Sequence, residues 1–502
     1  MNEPFVLGLD IGTTSAKAVI FSENGYVQAE TEREYPVYTS PDGQAEQNPR
    51  EVKNAAAAAV RAAISSLPEN KRDVSGIGIS AAMHSWMAVD ETNRPLMNAI
   101  IWSDRRSSAI ADEWHQSGYA NTLYRQTGTP VHPMSPVVKT EWIRRENPGT
   151  FKEAAYWKSL KEYILFDWCG TADVDYSIAS SSGLFDYKRH TWCSEALHAC
   201  GLTEEQLGTP VSPLKNSYRL TTEAAGALGV STAVPITIGA SDGPLANLGL
   251  GAVNEEETAV TIGTSGAIRK MSREPVSFLK QRAFCYAFTD NLWITGGPSN
   301  NGANTLQWFL HLFTDPLIPG NGGKTASDID TASFTHAAET IAPGADGLIF
   351  VPWIHGERAP IWDADARGGF SGLDSSHSMR HMLRAVLEGI LLNLLAIEDE
   401  VQTEHPSKAI YASGGFARSP NWVQMLADIS GKPVHVPLSH QSSAWGAAWL
   451  SLTASGRAAS LEDIRHHIPM NETVYPDKEK HEIYKHVMTD FRHACQKEQD
   501  RL

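Results

Sequence analysis

Leu7-Gly8-Leu9-Asp10-Ile11-Gly12-Thr13-Thr14 near the start of the chain and Ala259-Val260-Thr261-Ile262-Gly263-Thr264-Ser265-Gly266 near its middle are two versions of one pattern. Each is a short apolar run that breaks into glycine and hydroxyl residues, the signature of a strand entering a tight turn. In the first copy Val6 to Asp10 and Ala18 to Phe21 are β-rich, and Ile11 to Lys17 joins them as a hairpin. Recurrence at the head of each half predicts two duplicated domains facing each other. The turns also carry chemistry: glycine lets backbone N–H groups approach a phosphate, hydroxyls add donors, and an aspartate can hold Mg²⁺ through water. Asp10, Gly12, Thr13, Thr14 and Lys17 on one side, with Gly263 and Thr264 on the other, therefore suit a nucleotide polyphosphate, the metal sitting on Asp10 alone. Either turn seen singly reads as an ordinary hairpin.

Working outward, Asn48-Pro49-Arg50-Glu51 starts a helix, with Asn as N-cap and Pro at its first position, that runs through an alanine stretch to a stop at Pro68. Ser75 to Ser80 is a strand that ends at Met83-His84-Ser85, and a helix from about Ser103 to Gln116 follows Ile100-Ile101-Trp102. Pro235 to Ala240 is a buried strand running into Ser241-Asp242-Gly243-Pro244. Strands alternating with helices predict an α/β fold. The expected division is a domain at residues 1–248, a second at 249–455 and a helical tail at 456–502.

Lys+Arg 42 against Asp+Glu 58 gives a net charge of -16, which repels a phosphate backbone and disfavours a nucleic-acid partner. Hydrophobic residues at 42% and charged residues at 20% exclude the disordered and fibrous classes. No stretch offers the ~20 clean apolar residues of a membrane span, and no signal sequence precedes Phe5, so a cytosolic protein is expected. Five cysteines, with no Cys-x-x-Cys, read as reduced thiols. His466-His467 are adjacent and no His-Glu-x-x-His occurs, so nothing points to zinc.

Together these elements resemble the FGGY family of carbohydrate kinases, within the actin, Hsp70 and sugar-kinase superfamily. The resemblance covers nearly the whole chain. Besides the two turns it rests on Lys139-Thr140-Glu141-Trp142, on Gly356-Glu357-Arg358-Ala359-Pro360 with Ala366-Arg367-Gly368-Gly369-Phe370 after it, and on Ala412-Ser413-Gly414-Gly415-Phe416-Ala417-Arg418-Ser419 leading to Trp422, Gln424 and Ala427-Asp428. It implies two actin-like and Hsp70-like (ribonuclease H-like) domains with an interdomain active-site cleft, the first binding the sugar and the second most of ATP. It implies that the nucleoside lies against Gly414 and Gly415, with Gly302 a further neighbour; Gly302 reads equally as a helix N-terminal turn.

Asp242, just past a buried strand where ligands of α/β sheets collect, looks like the family's base, accepting a hydroxyl proton during phosphoryl transfer. Without the family context it reads as an aspartate capping the next helix. Resemblance sets Met83, His84 and Ser85 against the sugar hydroxyls and Trp102 to Arg106 on a second substrate-side strand end. Met83-His84-Ser85 is nearer to family members that act on gluconate than to those that act on xylulose. The implied reaction is transfer of the γ-phosphate of ATP to D-gluconate, with D-xylulose or another ketose or polyol as the runner-up. Gluconate brings a carboxylate, for which Arg105, Arg106, Lys158, Lys161 and Arg269 are candidates, each reading as well as a solvated charge. A chaperone-like or filament-forming ATPase would use the same turns without the sugar side. A small-molecule sugar or sugar acid is the expected partner; the sequence leaves a homodimer open.

Overall fold

A computed structural model describes residues 5–69, 72–215, 218–277, 281–312, 336–401 and 405–500. The chain forms two compact units, each assembled from separate stretches: Met1–Val253 with Met271–Thr295 and Gln441–Pro469, and Asn254–Lys270 with Gly296–His440 and Met470–Leu502. These differ from the continuous domains expected from sequence. Helix Ser442–Ala454 lies with the first unit, and the charged helix Lys478–Gln499 is built into the second rather than standing as a tail.

The first unit is a six-stranded sheet in the order Tyr218–Arg219, Pro235–Ser241, Val74–Ala81, Phe5–Ile11, Ser15–Ser22, Val27–Glu34. Pro235–Ser241, Val74–Ala81 and Phe5–Ile11 are parallel, and the hairpin partner of Phe5–Ile11 is antiparallel. Both faces are covered, which is why these strands are nearly continuous apolar runs. Leu7, Leu9 and Ile11 join a core with helix Pro49–Ser66, while Val6 joins one with the helices Asp242–Leu250 and Ser442–Ala454. Helix Pro49–Ser66 starts where the sequence predicts: Asn48 Oδ1 accepts from the N–H of Arg50 and Glu51, and Pro49 opens it. The helix expected from about Ser103 begins only at Ser108. Asp104 keeps the preceding residues in a turn by accepting from the backbone N–H of Ala45 and Arg106.

Two glycines explain why helix Ser442–Ala454 sits on this sheet. A methyl group at Gly8 would lie 1.9 Å from Ala444 O, and one at Gly78 would lie 1.8 Å from Ala447 O. Only hydrogen at these positions lets helix backbone rest directly on strand backbone.

The second unit repeats the plan. Glu257–Ile262 pairs antiparallel with Gly266–Ser272 and parallel with Ala409–Ser413, which pairs parallel with Val434–Pro437. Helices Met379–Glu400, Pro420–Ser430 and Lys478–Gln499 share its core. Glu388 there accepts from Arg384 at 2.6 Å and from the Tyr484 hydroxyl at 2.8 Å, anchoring the last helix.

Candidate active site

Three parallel strands of the first unit end level. Asp10 pairs with Ser80 and Ile11 with Ala81 on one side of Val74–Ala81, and Ala240 with Ser80 and Ser241 with Ala81 on the other. The segments that follow, Gly12-Thr13, Met83-His84 and Asp242, therefore emerge side by side at the carboxyl edge of the sheet, where α/β folds gather ligands. A break in register between Thr237 and Ala240 helps to aim the third segment. It falls at Gly239, whose φ of 65° is left-handed and where a methyl group would lie 1.8 Å from Ile79 O.

Ser80 Oγ donates to Asp10 Oδ1 at 2.6 Å. Among the described residues no hydrogen bond reaches Asp10 Oδ2. Burial pushes the Asp10 carboxyl above the usual carboxylate range, while the Ser80 hydrogen bond and the Lys17 charge pull it back. Lys17, opposite Asp10 in the hairpin register, lies 3.6 Å from Glu32. Asp242 is the first residue of helix Asp242–Leu250, and its Oδ1 accepts the N–H of Gly243 at 2.8 Å.

The first turn is held from outside by its carbonyl groups. The Tyr35 hydroxyl donates to Gly12 O and Ser15 O, its backbone N–H to Thr14 O, and Gln47 Nε2 to Thr13 O. Gly12 N–H closes the turn onto Ser15 O. The backbone N–H groups of Thr13 and Thr14 find no acceptor among the described residues, so the turn presents donors to whatever lies beyond it. Trp102 Nε1 donates to Thr13 Oγ1 at 3.0 Å, and a small recess is lined by Gly12, Thr13, Gln47, Met83, Ser85 and Trp102 among others. The phosphate turn and the sugar-side residues of the sequence reading thus share one recess within this unit.

His84 has a left-handed backbone, φ 68°, and its ring Nδ1 lies 2.8 Å from Ser181 O. A carbonyl only accepts, so Nδ1 carries the proton, and in the neutral ring Nε2 is the acceptor. Ser85 Oγ accepts the N–H of Leu160 at 3.0 Å, and Met83 packs against Phe284, Tyr286 and Ile294. Beneath lies Lys139, 1% exposed, whose Nζ donates to His84 O at 2.5 Å and Ile100 O at 3.4 Å, tying both substrate-side segments together. Burial without a hydrogen-bonded carboxylate pulls the Lys139 ammonium down to about 7.

The five basic candidates separate. Arg106 is held by Asp104 and Glu46 and lies over the Trp142 ring; Lys158 donates to Asn93 Oδ1; Lys161 forms a 2.7 Å ion pair with Asp175 in which both side chains are 1% exposed. All three are structural ties. Arg269 stands on strand Gly266–Ser272 of the second unit. Arg105, next to the Trp102 turn, is exposed, and its backbone N–H is bound to Gly43 O.

In the second unit, Gly263 N–H bonds Ser265 O, Ala303 N–H bonds Gly263 O and Asn304 N–H bonds Thr264 O. Again the turn's carbonyls are occupied, and the N–H groups of Thr264 and Ser265 find no acceptor among the described residues. Gly302 caps helix Ala303–His311, and a methyl group there would lie 2.6 Å from the Ser265 carbonyl carbon. Register sets Thr261 beside Ser413, so Gly414 follows at the same edge with φ 93°, where a methyl group would lie 2.4 Å from Ile262 O. A methyl group on Gly415, in contrast, would touch nothing. Gly263, Thr264, Gly302, Gly414 and Gly415 are therefore one cluster on one unit.

Sequence reading passed over several residues that build these edges. Gln47, Tyr35 and Ser80 sit outside the glycine-hydroxyl pattern and act through hydrogen bonds to the turn and to Asp10. Glu357, quoted only as part of a motif, is fully buried and accepts from Ser299, Asn300, Asn301 and Asn393, fixing the segment that leads to Gly302. The described residues hold no group of three or more His, Cys, Asp or Glu suited to a metal, and no described helix is long and apolar enough to cross a membrane. The five cysteines are free thiols.

Comparison with known proteins bears on the family and the fold. The N-terminal domain of the FGGY family of carbohydrate kinases matches residues 5–249, and the C-terminal domain of that family matches residues 258–455. A gluconokinase of Bacillus subtilis (strain 168) is 40% identical over 494 residues, 97% of this chain and 94% of its own. The crystal structure of gluconate kinase from Lactobacillus acidophilus aligns with a TM-score of 0.91 at 31% identity, covering 98% of this chain and 97% of that one. A ligand-bound xylulose kinase from the same organism aligns with the same TM-score, identity and coverage.

Proposed function

The chain belongs to the FGGY family of carbohydrate kinases, with that family's two-domain actin-like α/β fold, and from this premise we propose that it transfers the γ-phosphate of ATP to the 6-hydroxyl of D-gluconate. Kinases of this family use ATP and act on a sugar. The observation that carries the reading is the level ending of three parallel strands, which sets Asp10, His84 and Asp242 along one edge. Support for gluconate comes from the 40% identical gluconokinase and from Met83-His84-Ser85.

Thr13 and Thr14 donate backbone N–H groups to phosphate oxygens, as do Thr264 and Ser265, while Gly302, Gly414 and Gly415 leave room for the nucleoside. Asp10 would hold Mg²⁺: one carboxylate with an uncommitted oxygen, made more acidic by a cation, fits an ion that takes its other ligands from water and phosphate. The ion supplies charge neutralisation at the phosphates. His84 Nε2 accepts from a sugar hydroxyl, Arg105 meets the carboxylate, and Asp242 accepts the proton of the attacking hydroxyl. The sugar-side residues of this reading lie in the first unit, and Gly302, Gly414 and Gly415 in the second.

ADP release measured with Mg²⁺-ATP across D-gluconate, D-xylulose, D-ribulose and glycerol tests this. Fast turnover on gluconate alone is the expected result. Preference for xylulose, which the equally similar xylulose kinase structure supports as the second reading, would move the substrate. Silence on every sugar would overturn the kinase reading.

A further inference from the structure

Lys161 and Asp175 form an ion pair in which both side chains are 1% exposed, and neither lines the recess beside Gly12 and Thr13. Burying two charges is costly, and well-packed apolar residues often serve stability as well, so such a pair calls for a reason beyond stability. Its bonding supplies one. Asp175 Oδ2 takes the Lys161 ammonium at 2.7 Å, and Oδ1 caps the short helix Tyr176–Ser181 by accepting the N–H of Ser177 and Ile178 and the hydroxyl of Ser177. The Ser177 proton is thereby committed to Asp175, and its oxygen lone pair accepts the backbone N–H of Ser241 at 2.8 Å. Ser241 is the residue before Asp242. At the other end of the same helix, Ser181 O takes His84 Nδ1 at 2.8 Å.

One element therefore touches both functional segments, four residues and about 6 Å apart along a helix axis. Its flanks are fixed too: Ser180 O accepts from Thr129 Oγ1, and Ser180 Oγ accepts the N–H of Ala287. We propose that helix Tyr176–Ser181, seated by the buried Lys161–Asp175 pair, is a spacer that sets Asp242 and His84 relative to each other, with Ser177 and Asp175 as positioning residues for the acceptor side. The inference rests on the reading of Asp242 as base. It also gives Lys161 a part in the reaction other than carboxylate binding.

The test is Ser177→Ala in the full-length protein, alone and combined with Asp242→Asn, with Ser177→Cys as a second variant that keeps volume and weakens the acceptor. Misplacement by about 1 Å costs on the order of 10²-fold in rate. Ser177→Ala is expected to leave KM for ATP within about twofold, to lower kcat by about 10- to 100-fold and to raise KM for the acceptor, with Ser177→Cys intermediate. In the Asp242→Asn background the same change should lower kcat by less than about threefold, because the residue it positions is already lost. Equal losses in both backgrounds, or wild-type kcat in Ser177→Ala, would overturn the proposal. Activity retained by Asp242→Asn alone would instead remove the base assignment, and a loss in Ser177→Ala would then have to act elsewhere, which also ends the spacer account in its present form.

Discussion

Ser80→Ala probes the Asp10 edge with the smallest possible change. Ser80 is fully buried, and its Oγ makes the 2.6 Å hydrogen bond to Asp10 Oδ1. Burial already holds the Asp10 carboxyl above its ordinary range, and the Ser80 bond is the largest influence pulling it back, ahead of the Lys17 charge. A hydrogen bond to a charged group contributes about 1.5–3 kcal/mol, and one pKa unit corresponds to about 1.4 kcal/mol. Losing it should raise the Asp10 pKa further. The sign follows: the ionised, cation-binding form is lost as pH falls through the pKa, so the variant loses it at higher pH than the wild type. The assay is kcat/KM for Mg²⁺-ATP from pH 5 to 9 at saturating gluconate. The acid limb should move to higher pH, while the plateau above it stays within about twofold. An unmoved acid limb, or a lowered plateau without a shift, would refute the role given to Asp10.

Gly415→Ala adds a methyl group that meets nothing in the protein, so thermal stability should change by less than about 0.5 kcal/mol while KM for ATP rises severalfold; unchanged ATP affinity would remove Gly415 from the nucleotide edge. Gly302→Ala forces backbone apart at Ser265 and should cost about 1–3 kcal/mol in stability as well as ATP affinity, with gluconate KM kept. Lys139, pulled down to about 7 when folded, gives up its proton where the unfolded chain keeps it. Stability of the wild type relative to Lys139→Met should therefore rise between about pH 7 and 10, by on the order of 5 kcal/mol at most, in chemical denaturation; a flat difference would contradict the burial argument.

Much of the fold was legible because it is written in local signals. The duplicated strand-turn pattern, the Asn48-Pro49 helix start and the apolar run ending at Asp242 are each contiguous in sequence, and the structure forms them nearly where periodicity and turn chemistry put them. What stayed hidden depends on three-dimensional pairing. That helix Ser442–Ala454 returns to the first unit follows from hydrogen atoms at Gly8 and Gly78, residues that in sequence are only glycines in strands. Arg106, Lys158 and Lys161 read equally as carboxylate ligands or solvated charges because sequence gives charge without partner, and each is occupied by Asp104, Asn93 or Asp175. Lys139 was visible only as a letter in a family segment; its tie to two carbonyl groups is a property of how two strand ends meet a helix.

The most direct test of the central claim is the product itself. Wild-type protein given ATP, Mg²⁺ and D-gluconate should form a sugar phosphate esterified at the 6-hydroxyl, resolved by phosphorus NMR. Asp242→Asn should bind ATP normally and make that product slower by several orders of magnitude. A phosphate at another position, or an Asp242→Asn protein as fast as wild type, would contradict the account.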